Sequence, residues 1–289
     1  MRYKFMRFPA GKTKALTLSY DDGVKADLRL SEIITKYGIK CTFNVNTSNF
    51  ETNSPNKLTV EEIQTAIIDR GHEVAVHGER HIAPGNAEPV RAIADILNCR
   101  ITLENTFNRI VRGMAYPDSG IRRMEGENNY PNIRGYVENL GIVYSRTLGG
   151  DNNSFLMPTD WYAWMPTAHH GNSKLMEYIE KFLKLDITPA AYHASRVSRL
   201  LYIWGHSYEF DRANNWERIE EICERLCDND EIWYATNMEI CEYVNAYKNL
   251  IYSADGHRIY NPTLFEIWID IDSKLYSVKS GETLIILEN

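Results

Sequence analysis

The sequence contains no long apolar run. None of its 289 residues belongs to a stretch of about 18 consecutive apolar side chains, the length that a membrane-spanning helix requires. The first 15 residues are partly basic, but they include neither an apolar core nor a small-residue cleavage site, so they predict no secretion signal. We therefore expect a cytoplasmic protein without a membrane span.

Cysteines are few, and their pattern argues against a disulfide framework. The chain has five of them, an odd number, and none forms a CxxC pair: Cys41, Cys99, Cys223, Cys227 and Cys241. Reduced thiols in a cytoplasm fit this pattern. Cys223 and Cys227 lie one turn apart on a predicted helix, where core packing is a better interpretation than metal binding.

An excess of positive charge is also missing. The formal net charge is −7, which argues against a protein that binds the phosphate backbone of nucleic acids. The sequence has no GxGxxG fingerprint for a dinucleotide and no P-loop for a nucleotide triphosphate. Because 44% of the residues are hydrophobic and 25% are charged, an ordinary folded core is expected.

Short strand-like runs alternate with helical patterns along most of the chain. The strands are predicted at 15–20, 41–46, 72–77, 110–116, 142–146, 164–168, 200–204 and 232–235. The helices are predicted at 25–37, 60–70, 89–107, 133–140, 173–185, 216–227 and 237–249. Helix, glycine and strand follow one another at Gly38, Gly71 and Gly141, which is typical of β/α units around a parallel sheet. The fold class predicted is α/β, a barrel of seven or eight strands.

The last forty residues follow a different pattern. They alternate in short runs with Asn-Pro and Ser-Gly breakers and show no helical period. We predict a barrel domain over residues 1–249 and a small β appendage over residues 250–289. Edge strands packed on the barrel and a substrate-facing role are both open for this appendage.

Polar side chains cluster where predicted strands end. Asp21 and Asp22 end the first strand, His77 and His81 follow the third, and His206 follows the seventh. In parallel α/β barrels the carboxyl ends of the strands carry the active site. Two histidines and a carboxylate are typical of a catalytic metal site, so Asp22, His77 and His81 are the predicted ligands.

The adjacent aspartates need separate explanations because like charges so close repel each other. A cation beside Asp22 would offset one charge, leaving Asp21 as a general base and His206 as a general acid. Two simpler interpretations stay open at this point. Asp21-Asp22-Gly23 can form an Asx-type turn, and an HxxxH spacing arises by chance in many proteins.

Three of these segments resemble motifs of the polysaccharide deacetylases, carbohydrate esterase family 4. "TLSYDDG" resembles the TFDDG signature, "HGERH" resembles H-(S/T)-x-x-H with Gly78 in place of the hydroxyl residue, and "LYIWGHSYEF" resembles a late Leu-x-His motif. The resemblance extends over residues 14–235. It implies a distorted (β/α) barrel and a divalent metal, usually Zn²⁺, with Co²⁺, Ni²⁺ or Mn²⁺ also fitting. The implied reaction is hydrolysis of an N-acetyl or O-acetyl group on a saccharide.

This sequence departs from the family pattern at two other motifs. The R-x-P-Y-G motif is replaced by "RGMAYPDSG", where Ala115 takes the place of the arginine that would hold Asp21. Arg112 and Arg146 are the two candidates for that role. The Asp-rich motif that supplies an acidic partner to His206 is not recognisable, and Glu209 is either that partner or a solvated charge.

Four further residues are predicted to contact substrate. They are Tyr116, Trp164, His169 and His170. A polar loop without a special role is the alternative for the histidine doublet, and ordinary packing is the alternative for the aromatic rings. A hydrolase of a non-sugar amide and a catalytically silent carbohydrate-binding barrel remain competing functions. The oligomeric state is not predicted.

Overall fold

The computed structural model describes residues 3–50, 54–149, 151–187 and 194–286. Within these ranges eight parallel strands form the central sheet: β2 (Lys14–Asp21), β3 (Cys41–Val45), β4 (Glu73–Val76), β5 (Gly113–Ala115), β6 (Tyr144–Arg146), β7 (Ala168–His169), β8 (Arg199–Gly205) and β9 (Ile232–Tyr234). Each overlaps its predicted run, but β7 shares only Ala168 with the run 164–168. A preceding strand, β1 (Lys4–Arg7), was not predicted.

The parallel sheet curls into a half-barrel. Its strand order is β6-β5-β4-β3-β2-β8-β7. β9 pairs with residues 14–16 of β2, before β2 begins to pair with β3 at Leu18. The two ends of the sheet approach at an isolated parallel bridge between Arg146 and Trp164. The predicted distorted (β/α) barrel is confirmed. All eight residues of β2 are buried, including the polar residues Lys14, Thr17, Ser19 and Asp21.

Helices cover the outside of the sheet. Their bounds are α1 (Ala26–Lys36), α2 (Val60–Ile63, continued by a π-helical turn over Gln64–Ile68), α3 (Pro89–Phe107), α4 (Tyr130–Asn139), α5 (Leu175–Leu183), α6 (Tyr208–Ala213), α7 (Glu217–Leu226) and α8 (Asn237–Lys248). Thr59 and Thr236 each form a capping box, as their sequences predict. The short helix α6 was not predicted. No helix in the described ranges is long and apolar enough to cross a membrane.

The remaining strands form two small antiparallel sheets. One contains β10 (Ile251–Tyr252), β11 (Arg258–Tyr260) and β14 (Thr283–Ile285). The other contains β12 (Ile267–Ile271), β13 (Lys274–Val278) and the N-terminal strand β1, which pairs with β12. The extra C-terminal strands are therefore present, but one sheet is completed from the other end of the chain. Residues 287–289 of the predicted appendage lie outside the described residues, and the division at residue 250 stays a prediction.

Candidate active site

The carboxyl ends of the parallel strands bring the predicted polar residues to one edge of the sheet. β2 ends at Asp21, β4 leads into His77, and β8 leads into His206. β6 ends at Arg146 on the same edge. These residues lie far apart in sequence but close together in space because parallel strands share one direction.

Asp22, His77 and His81 converge on one point. The Oδ1 atom of Asp22 lies 3.6 Å from Nε2 of His77 and 3.5 Å from Nε2 of His81. Nδ1 of His77 lies 2.9 Å from the carbonyl oxygen of Ala115, which can only accept a hydrogen bond. Nδ1 therefore carries the ring proton and is the hydrogen-bond donor. The lone pair of Nε2 is thereby left for a ligand, and this buried atom has no hydrogen-bond partner in the described part of the chain. The three side chains fit a divalent metal.

The backbone at two of these residues is in a left-handed conformation. The φ angle is +84° at Asp22 and +62° at His81, values that side chains other than glycine seldom adopt. Such conformations persist where the surroundings impose them, and they concentrate at functional sites. At Asp22, Lys57 Nζ donates to the carbonyl oxygen over 2.7 Å, and the Asp22 N–H donates to the carbonyl of Asn44 over 2.9 Å.

Asp95 of α3 holds the loop that carries His81. Its carboxylate accepts the N–H groups of Arg80, at 2.6 Å, and Ile82, at 3.2 Å, which flank the histidine. A Cβ atom at Gly78 would come closer than 3.0 Å to Oδ2 of Asp95. The glycine that replaces the hydroxyl residue of the motif therefore leaves room for a carboxylate, which sequence reasoning missed.

Asp21 is buried and held ionised. Arg146 Nη2 contacts its Oδ2 atom, and Asn44 Nδ2 donates to Oδ1 over 2.8 Å. Burial alone would raise the pKa of Asp21, but the charges of Arg146, His77 and His206 outweigh it and hold that pKa below its usual value. The guanidinium of Arg146 also lies over the ring of Trp204, 4.5 Å from its centroid.

Arg112 is not part of this site. It precedes β5, at the amino end of a strand, whereas Asp21 lies at a carboxyl end. Its partly exposed side chain donates from Nε to the carbonyl of Gly141 over 3.4 Å. Of the two arginines considered for holding Asp21, the structure brings only Arg146 to it.

His206 faces Asp21 with one ring nitrogen and Glu209 with the other. Nε2 lies 4.0 Å from Oδ2 of Asp21, and Nδ1 lies 3.4 Å from Oε1 of Glu209. Burial alone would lower the pKa of His206, but Glu209 and the nearby aspartates raise it above its usual value. The histidine is thus biased toward the protonated form that a general acid requires.

His169 and His170 also contact Glu209. Each places Nε2 3.0 Å from Oε2 of that carboxylate. His169 is part-exposed, whereas His170 is 4% exposed. The doublet therefore lies beside His206, and a carboxylate from α6 stands between them.

Trp164 and Tyr116 are not available to a substrate, and both predictions of contact are wrong. Trp164 is 1% exposed because its indole packs edge-on against the buried rings of Tyr144 and Tyr202. Tyr116 is fully buried, and its hydroxyl donates to the carbonyl of Tyr162 over 2.9 Å. Both rings belong to the core.

A cleft beside Asp22 offers room for a ligand. Its volume is about 460 Å³, and its lining includes Lys25, Lys57, Tyr208 and Arg212. The ring of Tyr208 is partly exposed, and its centroid lies 5.2 Å from that of His206. Tyr208 therefore places a partly exposed ring near the site, with the guanidinium of Arg212 lying over it, 4.4 Å from its centroid.

The sequence comparison agrees with the motifs. Residues 9–128 match the family model described as polysaccharide deacetylase, which confirms the resemblance to carbohydrate esterase family 4. No curated protein matches the chain. A solved structure of a putative polysaccharide deacetylase from Mycobacterium smegmatis is 18% identical and covers 83% of this chain and 93% of that one, with a TM-score of 0.56.

Two further solved structures match this chain, one over most of its length and one over less than half of it. Puue allantoinase is 15% identical, covers 81% of this chain and 91% of its own, and gives a TM-score of 0.56. The Streptococcus pyogenes deacetylase PplD, solved in complex with acetate, is 19% identical with a TM-score of 0.40, and the match covers 46% of this chain and about half, 55%, of that one. At these identities the likeness to the two longer matches shows the fold alone.

Proposed function

We propose that this polysaccharide-deacetylase-like chain is a metal-dependent hydrolase that removes acetyl groups from N-acetylated or O-acetylated carbohydrate. One observation carries the proposal. A buried, ionised Asp21, clamped by Arg146 and Asn44, lies beside three convergent metal-ligand side chains and faces His206. A purely binding barrel has no need for a desolvated carboxylate with a dedicated arginine.

Asp22, His77 and His81 would hold the cation, for which Zn²⁺ is the expected ion. When bound, it would supply a Lewis acid for the acetyl carbonyl and for the attacking water. We assign the proton transfers to two other residues, Asp21 and His206.

Asp21 is suited to accept the proton of the attacking water. Its pKa below the usual value keeps it ionised at neutral pH, and Arg146 and Asn44 fix the orientation of the carboxylate. His206, on the other side of Asp21, is suited to donate a proton to the leaving nitrogen or oxygen as its bond to the acetyl carbon breaks. Acetate and the free amine or hydroxyl are the products.

The substrate is expected to occupy the cleft beside Asp22. The exposed part of the Tyr208 ring can pack against the apolar face of a sugar, the role that sequence reasoning gave to Trp164. Lys57 and Arg212 lie along the same cleft and can donate to sugar oxygens.

The test is acetate release from a panel of N-acetylated sugars, O-acetylated sugars and non-sugar amides, with Zn²⁺ or Co²⁺ added. Asp22→Asn should abolish both metal binding and turnover, whereas Asp21→Asn should retain the metal and lose turnover. Asp230→Asn, at an exposed aspartate before β9, serves as the matched control and should retain both. Full activity in Asp21→Asn, or no bound metal in the unmodified protein, would overturn the proposal.

A further inference from the structure

One carboxylate stands among three histidines beside the site. Oε2 of Glu209 lies 3.0 Å from Nε2 of both His169 and His170, and Oε1 lies 3.4 Å from Nδ1 of His206. Nδ1 of His206 is buried and makes no hydrogen bond in the described ranges, so its contact with Oε1 of Glu209 is one of ion-pair distance. The doublet and Glu209 together also satisfy the simplest description of a second metal site, two histidines and a carboxylate.

The ring of His170 is fixed by packing. It packs against Tyr20, at a centroid distance of 5.6 Å, and against Phe210, at 4.2 Å. At Gly205, on the neighbouring strand β8, a Cβ atom would come closer than 3.0 Å to Nδ1 of this ring. The glycine therefore leaves the space that the ring fills, and Nε2 is directed at Glu209.

Hydrogen bonding at His169 assigns its tautomer. The N–H of Gly171 donates to Nδ1 of His169 over 3.0 Å, so Nδ1 is unprotonated and Nε2 carries the proton. His77 has the opposite arrangement, since its Nδ1 faces the carbonyl of Ala115 and its Nε2 offers a lone pair. A metal on Nε2 of His169 would require a proton on Nδ1, which would face the Gly171 N–H. His169 is therefore arranged to donate to a carboxylate and not to ligate a metal.

We propose that Glu209 is the positioning residue for the general acid His206, and that His169 and His170 are a clamp that holds this carboxylate in place. The inference rests on the proposed hydrolase function. Glu209 would hold a proton on Nδ1 of His206, and Nε2 would then face Asp21 and the leaving group. The predicted substrate-binding role of the doublet is replaced by this supporting role.

The charges around Glu209 and His206 agree with this arrangement. Burial alone would raise the pKa of Glu209, but its contacts with three imidazoles lower that pKa well below the usual range. The titratable and charged groups that influence or face His206 are Asp21, Asp22, Glu209, His169 and Tyr208. Glu209 alone of these lies on the Nδ1 side within 3.5 Å of that atom.

The test is Glu209→Gln, with Glu217→Gln on the exposed face of α7 as the matched control. The amide keeps the shape but presents no charge to His206. We expect kcat to fall by roughly 10- to 100-fold with little change in KM, as for other lost outer-shell partners. Because the acid must be protonated, a lower pKa for His206 should move the basic limb of the kcat–pH profile to lower pH. Glu217→Gln should leave both unchanged.

A second pair of variants tests the clamp. His170→Gln retains an N–H donor near the carboxylate and should keep more of kcat than His170→Leu, which retains none. ¹⁵N NMR of His206 gives a readout that does not need turnover, and Glu209→Gln should lower its pKa and reduce the Nδ1-protonated form. An unchanged tautomer and pKa would overturn the inference. Two bound metal equivalents, with the second lost in Glu209→Gln, would also overturn it.

The two proposals fail differently. If no panel substrate releases acetate but the NMR response of His206 follows Glu209, the hydrolase proposal fails and the pairing stands. If acetate is released and Glu209→Gln changes neither the pH profile nor the NMR signals, the hydrolase stands and the positioning role is wrong.

Discussion

Replacing Gly78 by serine should damage the metal site, although serine is a residue that the family motif itself uses. The φ angle of Gly78 is +77°, where an L side chain costs roughly 1–2 kcal/mol. The new Cβ would also come closer than 3.0 Å to the Asp95 carboxylate. That carboxylate must move, and its bonds to the Arg80 and Ile82 N–H groups are then weakened or lost.

The size of the effect follows from those two bonds. Hydrogen bonds to a charged group contribute roughly 1.5–3 kcal/mol each, and Asp95 is 3% exposed, so water replaces them poorly. If the free energy that orders the loop falls by 2–4 kcal/mol and must be recovered when the metal binds, the dissociation constant of the metal should rise about 30- to 700-fold. His81 lies between the two N–H groups, so its position is the first to suffer.

Gly71→Ser is the matched control. Its φ angle is +80°, nearly that of Gly78, but nothing lies within 4 Å of a Cβ built there. Both variants therefore carry the same backbone strain, and only one carries the collision. Metal affinity measured by chelator competition, with thermal unfolding alongside, separates the two terms.

Removing the carboxylate should make the two substitutions non-additive. In Gly78→Ser with Asp95→Ala the collision is absent and the two bonds are lost only once, so we expect a double-mutant coupling of about 0.5–3 kcal/mol in metal binding. The reasoning is refuted if Gly78→Ser weakens metal binding no more than Gly71→Ser does. Strictly additive single and double variants would refute it as well.

Three other outcomes follow from the structure. Arg146→Met should destabilise the protein by about 3–5 kcal/mol and abolish turnover, because it leaves Asp21 buried and unpaired. Arg112→Met should change the free energy of unfolding by no more than about 0.5 kcal/mol and retain kcat. Urea unfolding measures the stability of both variants, and acetate release measures their turnover. Trp164→Ala should lower stability by about 3–5 kcal/mol but leave the KM of the folded fraction unchanged, and a selective rise in KM would contradict its core position. Burial raises the pKa of Asp27 to about 7, against an ordinary value of 3.8, so the folded state holds the proton more tightly than the unfolded one. The contribution of Asp27 to the free energy of unfolding is fully present below about pH 4 and is lost as pH rises toward about 7, by about 4 kcal/mol in all. Asp27→Asn should flatten that decline when unfolding is measured as a function of pH.

The sheet and the meeting of its polar strand ends at one edge could be predicted because both follow from short sequence patterns. Buried parallel strands appear as short runs rich in β-branched residues, and their polar ends must meet at one edge. That geometry places Asp21, His77 and His206 together without any knowledge of side-chain packing. The choice between Arg112 and Arg146 needed the start of β5, because the predicted strand 110–116 included Arg112, whereas β5 begins one residue after it.

Residues outside the motifs depend on packing that no local pattern expresses. Trp164 was placed at the start of a predicted strand, but β7 begins at Ala168, and the indole instead fills the barrel core with aromatic rings from other strands. Glu209 was considered as the partner of His206, but a solvated charge stayed open because the helix α6, which carries Glu209, was not predicted. Asn44 carried a signal too, as a polar residue within an apolar strand that pairs in register with Asp21.

The two histidine clusters show why residue type alone does not identify a metal site. His77 and His169 both direct Nε2 toward a carboxylate, and each belongs to a group of three side chains that could hold an ion. What differs is the backbone group at Nδ1: a carbonyl at His77 leaves a lone pair on Nε2, and an N–H at His169 leaves a proton there. Backbone polarity therefore leaves a lone pair on Nε2 of one histidine and a proton on Nε2 of the other. One metal equivalent per chain should be measured after saturation and desalting, because only the cluster with Asp22 is arranged to receive it.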